Sequence, residues 1–336
     1  MEKLLYLVTG CAGFLGGNIC SQLLEKGHAV RGFALTGDPA ISQIPEGVEV
    51  MQGNLCEAED VERFFTVPEG TETVCLHIAS VISITPEHSN LVMNVNVGGT
   101  KHIIDACLRH PECKKLVYCS STGAIPEEKQ GKKIREVLYF DPDQVVGCYS
   151  RSKAIATQAV LNAVELRDLN ACVIHPAGIF GPGDHAHGEN TNLILNIVRG
   201  EIPMAIDGAF NMIDVRDLAA GTIAAAEKGK KGACYILSNQ VVTFQSLAQL
   251  LHKETGCRMI THYLKPKTAY RLAAVMEKLS GKSGKKNLLT TFSVYNLVKN
   301  NDFDCTKAKR ELGFSARPYE ETVRDMLVWL KKTGKL

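Results

Sequence analysis

Tyr149 and Lys153 stand four residues apart, a spacing that puts both side chains on one face of a helix. A phenol with its ordinary pKa of about 10 is a poor acid or base at neutral pH. An ammonium one turn away stabilises the phenolate and lowers that pKa, so the pair can exchange a proton with a hydroxyl or carbonyl oxygen. The Tyr-x-x-x-Lys spacing occurs three times in the 336 residues. Tyr263 and Lys267 are separated by Pro266, which disfavours a continuous helix, and Tyr295 and Lys299 lie far from any glycine-rich strand. Only Tyr149 follows a strand-like run that ends in hydroxyls, Val117-Tyr118-Cys119-Ser120-Ser121-Thr122. A serine at such a carboxyl edge can hydrogen-bond a reacting oxygen.

A second constellation lies at the start of the chain. Thr9-Gly10-Cys11-Ala12-Gly13-Phe14-Leu15-Gly16 follows an apolar run, Leu4–Val8, and opens a helical pattern, Phe14–Lys26. Glycines at such a junction permit a tight turn, close backbone approach to a pyrophosphate and close helix–strand packing. The phosphates then meet free N–H groups where the helix dipole favours anions. Gly10, Ala12, Gly13, Phe14, Leu15 and Gly16 are therefore the expected dinucleotide cradle. The second strand, Ala29–Leu35, ends in neither a carboxylate for a ribose 2′-hydroxyl nor an arginine for a 2′-phosphate. NAD and NADP both stay open, with NAD favoured because no clear cation is present.

These residues need a frame. Strand-like runs at Ala29–Ala34, Val48–Gln52, Val74–Ile78, Leu116–Cys119 and Ala171–His175 alternate with helical patterns at Glu57–Phe65, Leu91–Arg109 and Tyr149–Arg167. That order predicts an α/β fold, a doubly wound parallel sheet of Rossmann type. Residues 1–175 form the expected cofactor domain. Residues 176–336 form a smaller, mostly helical substrate lobe, with about 210–240 returning to the core. Pro176–Gly188 reads as loop, Met212–Val215 and Ala233–Leu237 as strands, and Tyr319–Lys332 as a helix with Val323, Met326, Leu327 and Leu330 on one face. A net charge of +2 gives no reason to expect nucleic acid. No apolar run is long enough to span a bilayer. The 12 cysteines include no Cys-x-x-Cys and several sit inside apolar runs, so buried thiols and a cytoplasmic location are expected.

Together, Thr9–Gly16, Ser121 and the Tyr149–Lys153 pair resemble the extended short-chain dehydrogenase/reductase family. Further segments agree. Asn94–Thr100 resembles the family's Asn-Val-x-Gly-Thr, which implies that Asn96 is the structural asparagine of the catalytic set. His77-Ile78-Ala79-Ser80 resembles the cofactor-lining segment after the fourth strand, and Gly53-Asn54-Leu55 the Gly-Asp-Leu that meets the adenine. His175–Gly183, including Pro176, Gly178 and Ile179, resembles Arg-Pro-x-x-Val-Tyr-Gly-Pro-Gly near the nicotinamide, with His in place of Arg. Ile213–Ala219 resembles Ile-His-Val-x-Asp-Leu-Ala, and Asp304–Gly313 a C-terminal family segment. The resemblance implies an NAD(P)-dependent enzyme with Tyr149 as general acid/base. Lys153 would bind the ribose and tune the phenol, and Ser121 would orient the substrate oxygen, with Thr122 a lesser candidate.

The chemistry within the family depends on the substrate lobe. Thr122-Gly123-Ala124 lacks the Asp-Glu pair of nucleotide-sugar dehydratases. Asn301–Ala308 resembles the dihydroflavonol-reductase and 3β-hydroxysteroid-dehydrogenase branch, which implies alcohol/ketone interconversion on a small hydrophobic substrate. The alternatives are a nucleotide-sugar 4-epimerase with retained NAD, for which Arg199 and Arg216 are the available cations, and a non-catalytic NAD(P)-binding regulator. By resemblance the chain is expected to form a homodimer through Leu91–Arg109 and Tyr149–Arg167. Ile155, Ala159, Leu161 and Val164 would meet either a second subunit or the protein's own sheet.

The remaining motifs favour plainer readings. No metal is expected: His185 and His187, beside Asp184 and Glu189, suit a substrate-side lid. Cys148 suits packing, and His110 a helix cap. Between Lys265 and Lys286 seven Lys/Arg face one acid, Glu277; a solvated amphipathic helix over Ala269–Leu279 is favoured over a membrane-surface contact.

Overall fold

The computed structural model describes residues 3–83, 85–280 and 290–336. Among these residues the strands are β1 Lys3–Thr9, β2 Ala29–Leu35, β3 Glu49–Gly53, β4 Thr71–His77, β5 Cys113–Cys119, β6 Ala171–Pro176, β7 Gly178–Phe180, β8 Ala205–Ile206, β9 Ala209–Asp214, β10 Cys234–Leu237, β11 Gln240–Thr243 and β12 Tyr263–Leu264. Seven form one sheet in the order β3-β2-β1-β4-β5-β6-β10, every pair parallel. Such a sheet is covered on both faces, and β6 is accordingly buried at every residue. The strand order reverses between β1 and β4, the place where open α/β sheets bind ligands. β10 pairs with β6, so a segment from the second half of the chain extends the sheet.

The α-helices of the first half are α1 Phe14–Glu25, α2 Ala58–Phe65, α3 Asn90–Met93, α4 Thr100–Arg109 and α5 Cys148–Arg167. Those that follow are α6 Glu189–Val198, α7 Val215–Lys228, α8 Phe244–Thr255, α9 Pro266–Ser280, α10 Thr291–Val298, α11 Thr306–Leu312 and α12 Tyr319–Lys332. Among the described residues the main core surrounds the large sheet, and a second cluster joins β7, β9, α6, α8 and α12. Val323, Met326, Leu327 and Leu330 of α12 are all buried there, on the face their spacing predicted.

One expectation needs correction, and two gain detail. Pro176–Gly188 is not all loop, because Gly178–Phe180 pairs in parallel with Met212–Asp214. Leu91–Arg109 is helical throughout, as expected, but Asn94–Gly99 forms a π-helical turn between α3 and α4. Neither departure leaves a periodicity signal, since a three-residue strand and a one-turn bulge are too short to show one. His110 caps α4 as expected, its backbone N–H donating to Ala106 O (3.0 Å), while its ring bonds Glu62 (2.7 Å) and Glu112 (2.9 Å). The basic segment is helical up to Ser280, with Ala269 and Ala273 buried; Lys282, Lys285 and Lys286 lie outside the described residues.

Candidate active site

The glycine-rich turn sits at the switch point between β1 and β4. Gly10 has φ +72°, donates its N–H to Phe33 O (2.9 Å), and lies so close to β4's exit that an added Cβ would be 2.9 Å from Ala79 Cα. A Cβ on Gly16 would stand 2.1 Å from Gly10 O. Gly13, just before α1, is exposed and no side chain caps the helix, so its first N–H groups have no side-chain partner there. That is the surface a pyrophosphate requires. Ala12 and Phe14 are half-buried beside it, whereas the Leu15 side chain belongs to the core and can offer a ligand only its backbone.

Thr9 ties this turn to the next strand. Its Oγ1 accepts from Ile78 N (3.1 Å) and Ala79 N (3.2 Å) and bonds His77 Nδ1 at 2.7 Å. On the far side, His77 Nε2 meets Thr100 Oγ1 at 3.0 Å, and Thr100 donates to Asn96 O at 2.6 Å. With the Thr100 proton so directed, Nε2 must be the donor and Nδ1 the acceptor. Burial holds this imidazole neutral, its pKa lowered to about 3. Asn96, in the π-helical turn, accepts from Val81 N (2.8 Å) and donates to Val81 O (2.9 Å) and to Ser152 Oγ (3.0 Å). Ser152 in turn donates to Tyr149 O at 2.7 Å. The asparagine thus couples Val81, the residue after the Ile78–Ser80 segment, to the start of α5.

Tyr149 is half-buried in that turn. Burial pushes its pKa above the ordinary tyrosine value, while hydrogen bonding with Ser121 and Ser80 works in the opposite direction. Ser121 Oγ also accepts from Gly123 N at 3.1 Å, and Ser121 O accepts from His175 Nδ1 at 3.1 Å. Lys153 is buried; its Nζ donates to Cys119 O at 2.7 Å, and burial lowers its pKa to about 8. The expected depression of the phenol pKa by this ammonium is therefore not what the geometry produces. The lysine points to a strand carbonyl, and desolvation of the phenol dominates.

The 3-beta hydroxysteroid dehydrogenase/isomerase family model matches residues 7–261, which span the cradle, Asn96, Ser121 and the Tyr149–Lys153 pair. The chain belongs to that family. Its members are extended short-chain oxidoreductases that use NAD(P), and this chain is one of them. It is 30% identical, over 98% of its length and 87% of the relative's, to short-chain dehydrogenase/reductase family 42E member 1 from Mus musculus. The solved structure of gox2253 superposes with a TM-score of 0.85 at 27% identity, covering 99% of both chains. A UDP-glucose 4-epimerase from Thermotoga maritima, solved with UDP-glucose, gives a TM-score of 0.78 at 21% identity over 98% of this chain and 99% of its own, a likeness of fold.

Other family positions have local duties. Asn54 Oδ1 accepts from Cys56 N (3.0 Å), and its own N–H donates to Asp60 Oδ2 (2.7 Å). Leu55 is buried against Gly99, and its carbonyl bonds His102 Nδ1 at 2.8 Å. Gly178 and Ile179 lie in β7 and Pro176 ends β6, so all three follow the carboxyl edge of the main sheet. His185 and His187 pack edge-on against Trp329, and Asp184 accepts from Gly188 N and Thr191 Oγ1. Cys148 Sγ accepts from Ser89 N at 3.3 Å, a packing contact at the start of α3.

Two residues escape the sequence reading. Asp38 lies three positions beyond β2, after Gly37 at φ +78°, and its carboxylate helps burial push the Cys11 thiol up to about 11. It is thus an acid near the glycine-rich turn; the signal was an Asp just past the strand end, hidden by the intervening turn. Phe292 of α10 packs on Gly147, immediately before Cys148, where an added Cβ would meet its Cζ at 2.8 Å. The rings of Phe292 and Tyr295 stack at 6.1 Å. Only a tertiary contact brings α10 to α5, so no local pattern announces it.

Proposed function

We propose that this chain interconverts an alcohol and a ketone or aldehyde on a small apolar substrate, with exchangeable NAD and with Tyr149 as general acid/base. The observation that carries the reading is the convergence of Tyr149, Ser121, Ser80 and Lys153 at the sheet edge next to the Gly10–Ala79 cradle. Bound nicotinamide supplies or accepts the hydride. Tyr149 exchanges the proton with the substrate oxygen, which Ser121 orients through its hydroxyl. Because burial keeps the phenol protonated at neutral pH, the site as built suits proton donation to a carbonyl, the reductive direction. Lys153, whose side chain is buried, would hold the ribose. Asn96 positions Tyr149 through Ser152.

NAD is favoured over NADP. Arg31, the nearby cation of β2, bonds Phe64 O (3.1 Å), Thr66 O (2.7 Å) and Glu49 (3.0 Å), and the Asp38 carboxylate would repel a 2′-phosphate. The 4-epimerase reading loses its cations: Arg216 is paired with Asp214 and Asp325, and Arg199 donates to Lys335 O. The aromatic pair Phe292 and Tyr295 beside α5 supports an apolar substrate. Residues 1–175 then serve the cofactor and 176–336 the substrate, with α7 and β10 returning to the first unit. Exposed Leu91 and Leu166 at the ends of the α3–α5 surface support a homodimer, and twelve free cysteines suit the reducing cytoplasm. No described helix is long and apolar enough to cross a membrane.

The test follows nicotinamide absorbance with a panel of ketones, sterols, alcohols and UDP-sugars, after native mass spectrometry of the purified protein. Freely exchanging cofactor that turns over with a ketone or alcohol supports the proposal. Retained cofactor with epimerisation of a UDP-sugar would replace it, and no turnover of any substrate class would favour a binding role.

A further inference from the structure

Tyr118 is a large, fully buried side chain on β5 that the mechanism above does not use. Among the described residues its hydroxyl makes no hydrogen bond of good geometry, although Thr100 lies beside it. Its ring does something else. The Nζ of Lys153 lies 5.1 Å from the ring centroid. A buried ammonium needs more than one stabilising partner, and among the described residues Lys153 Nζ makes a single hydrogen bond, to Cys119 O at 2.7 Å. The face of an aromatic ring within about 6 Å supplies electrostatic attraction that is strongest where water is excluded.

The ring is itself fixed. Tyr118 pairs in register with His77 on β4, and the two rings lie 5.7 Å apart at 33°. His77 is clamped at both nitrogens by Thr9 and Thr100. A continuous buried column therefore runs from the glycine-rich turn through His77 and Tyr118 to Lys153. The titratable groups around the ammonium are Cys119 and Tyr118 on β5, His77 on β4, His175 on β6 and Tyr149 on its own helix. Their neutral forms prevail at pH 7, so none supplies a counter-charge.

We infer that Tyr118 is a positioning residue whose ring face, together with the Cys119 carbonyl, keeps the Lys153 side chain charged and in place for the cofactor ribose. This rests on the Tyr149–Lys153 reading, but its physical core can be tested without substrate. Lysine Cε-labelled protein, free of cofactor, is titrated by NMR, with the Lys153 signal assigned by its loss in Lys153→Arg. The parent signal titrates near pH 8. Tyr118→Phe keeps the ring face and leaves that midpoint in place. Tyr118→Leu lowers it by about one pH unit, the tenfold equivalent of a desolvated cation–π contact.

Trifluorophenylalanine at position 118 keeps the shape and weakens the face, and a downward shift intermediate between Phe and Leu is expected. It also replaces the leucine variant should that one not fold. A midpoint unchanged in both the leucine and the fluorinated variants overturns the inference. In the working enzyme the shift appears as an alkaline loss of kcat/KM at lower pH in Tyr118→Leu, rescued in Tyr118→Phe. If Lys153→Ala leaves turnover unchanged, the catalytic reading fails while the NMR result still decides the ring's part.

Discussion

The proposed cofactor side and the proposed substrate side of this molecule are built by different physics. Around β1 and β4 the geometry is fixed by backbone: Gly10 at φ +72°, Gly16 within contact of Gly10 O, and Thr9 bridging to two N–H groups of the next strand exit. Around α9, α10 and α12 it is fixed by side chains, in the small separate clusters of Val294 with Ala269 and of Met326 with its neighbours. A backbone cradle tolerates almost no change but recurs wherever the same ligand is bound. A side-chain wall can be refilled, which is how one fold takes many substrates.

The sharpest way to break the contrast is in the cradle. Gly16→Val should abolish cofactor binding and destabilise the fold by about 3 kcal/mol or more, because no rotamer can relieve a clash with backbone. Retained NAD affinity, measured by calorimetry, would show the turn to be far softer than its contacts indicate. On the other side, Phe292→Ala should fold and bind cofactor normally. It should raise KM for an apolar substrate about tenfold by removing part of one buried aromatic face. Equal damage to cofactor and substrate affinity would erase the distinction between the two regions.

Asp38→Asn sharpens the comparison within the cofactor side, because here a side chain is expected to choose the ligand. The NAD-over-NADP ratio of kcat/KM should fall several-fold, toward a ratio still above one. An unchanged ratio would move the choice to backbone or to another residue.

The smallest expected effect concerns stability. His77 and His175 have folded-state pKa values of about 3 and about 4, against 6.5 in an unfolded chain. The unfolded chain binds the extra protons, so stability is full above about pH 6.5 and falls as pH drops toward 4. Each group contributes up to about 1.4 kcal/mol per pH unit in that window. His175→Asn retains a donor for Ser121 O, and its denaturation midpoint should fall less steeply with acid than the parent's. Parallel slopes would mean that His175 is not buried as a neutral ring.

What the sequence disclosed follows the same division. Strand and helix alternation, the cradle and the Tyr149 helix all lie in local patterns, and the order β3-β2-β1-β4-β5-β6 follows from them. Asn96 could be found by its motif, but the π-helical turn that aims it could not, because one extra residue in a turn leaves no mark on apolar spacing. Where Arg31 points could not be read from the β2 run, because its partners Phe64 O and Thr66 O, at α2's carboxyl end, come to it only in the folded chain. Phe292 reaches Gly147 across 145 residues, and such a contact exists only in three dimensions. The half-buried Ile155, Ala159, Leu161 and Val164 lie at the rim of α5, with Ala159, Leu161 and Val164 already touching the chain's own core.

The central claim is that Tyr149 handles the proton while the cradle handles the cofactor. Its most direct test is steady-state turnover and NAD affinity of Tyr149→Phe, measured side by side with the parent on a reacting ketone or alcohol. The account predicts turnover reduced by about a thousandfold or more with NAD affinity within about twofold. Turnover that survives the loss of the hydroxyl would contradict it.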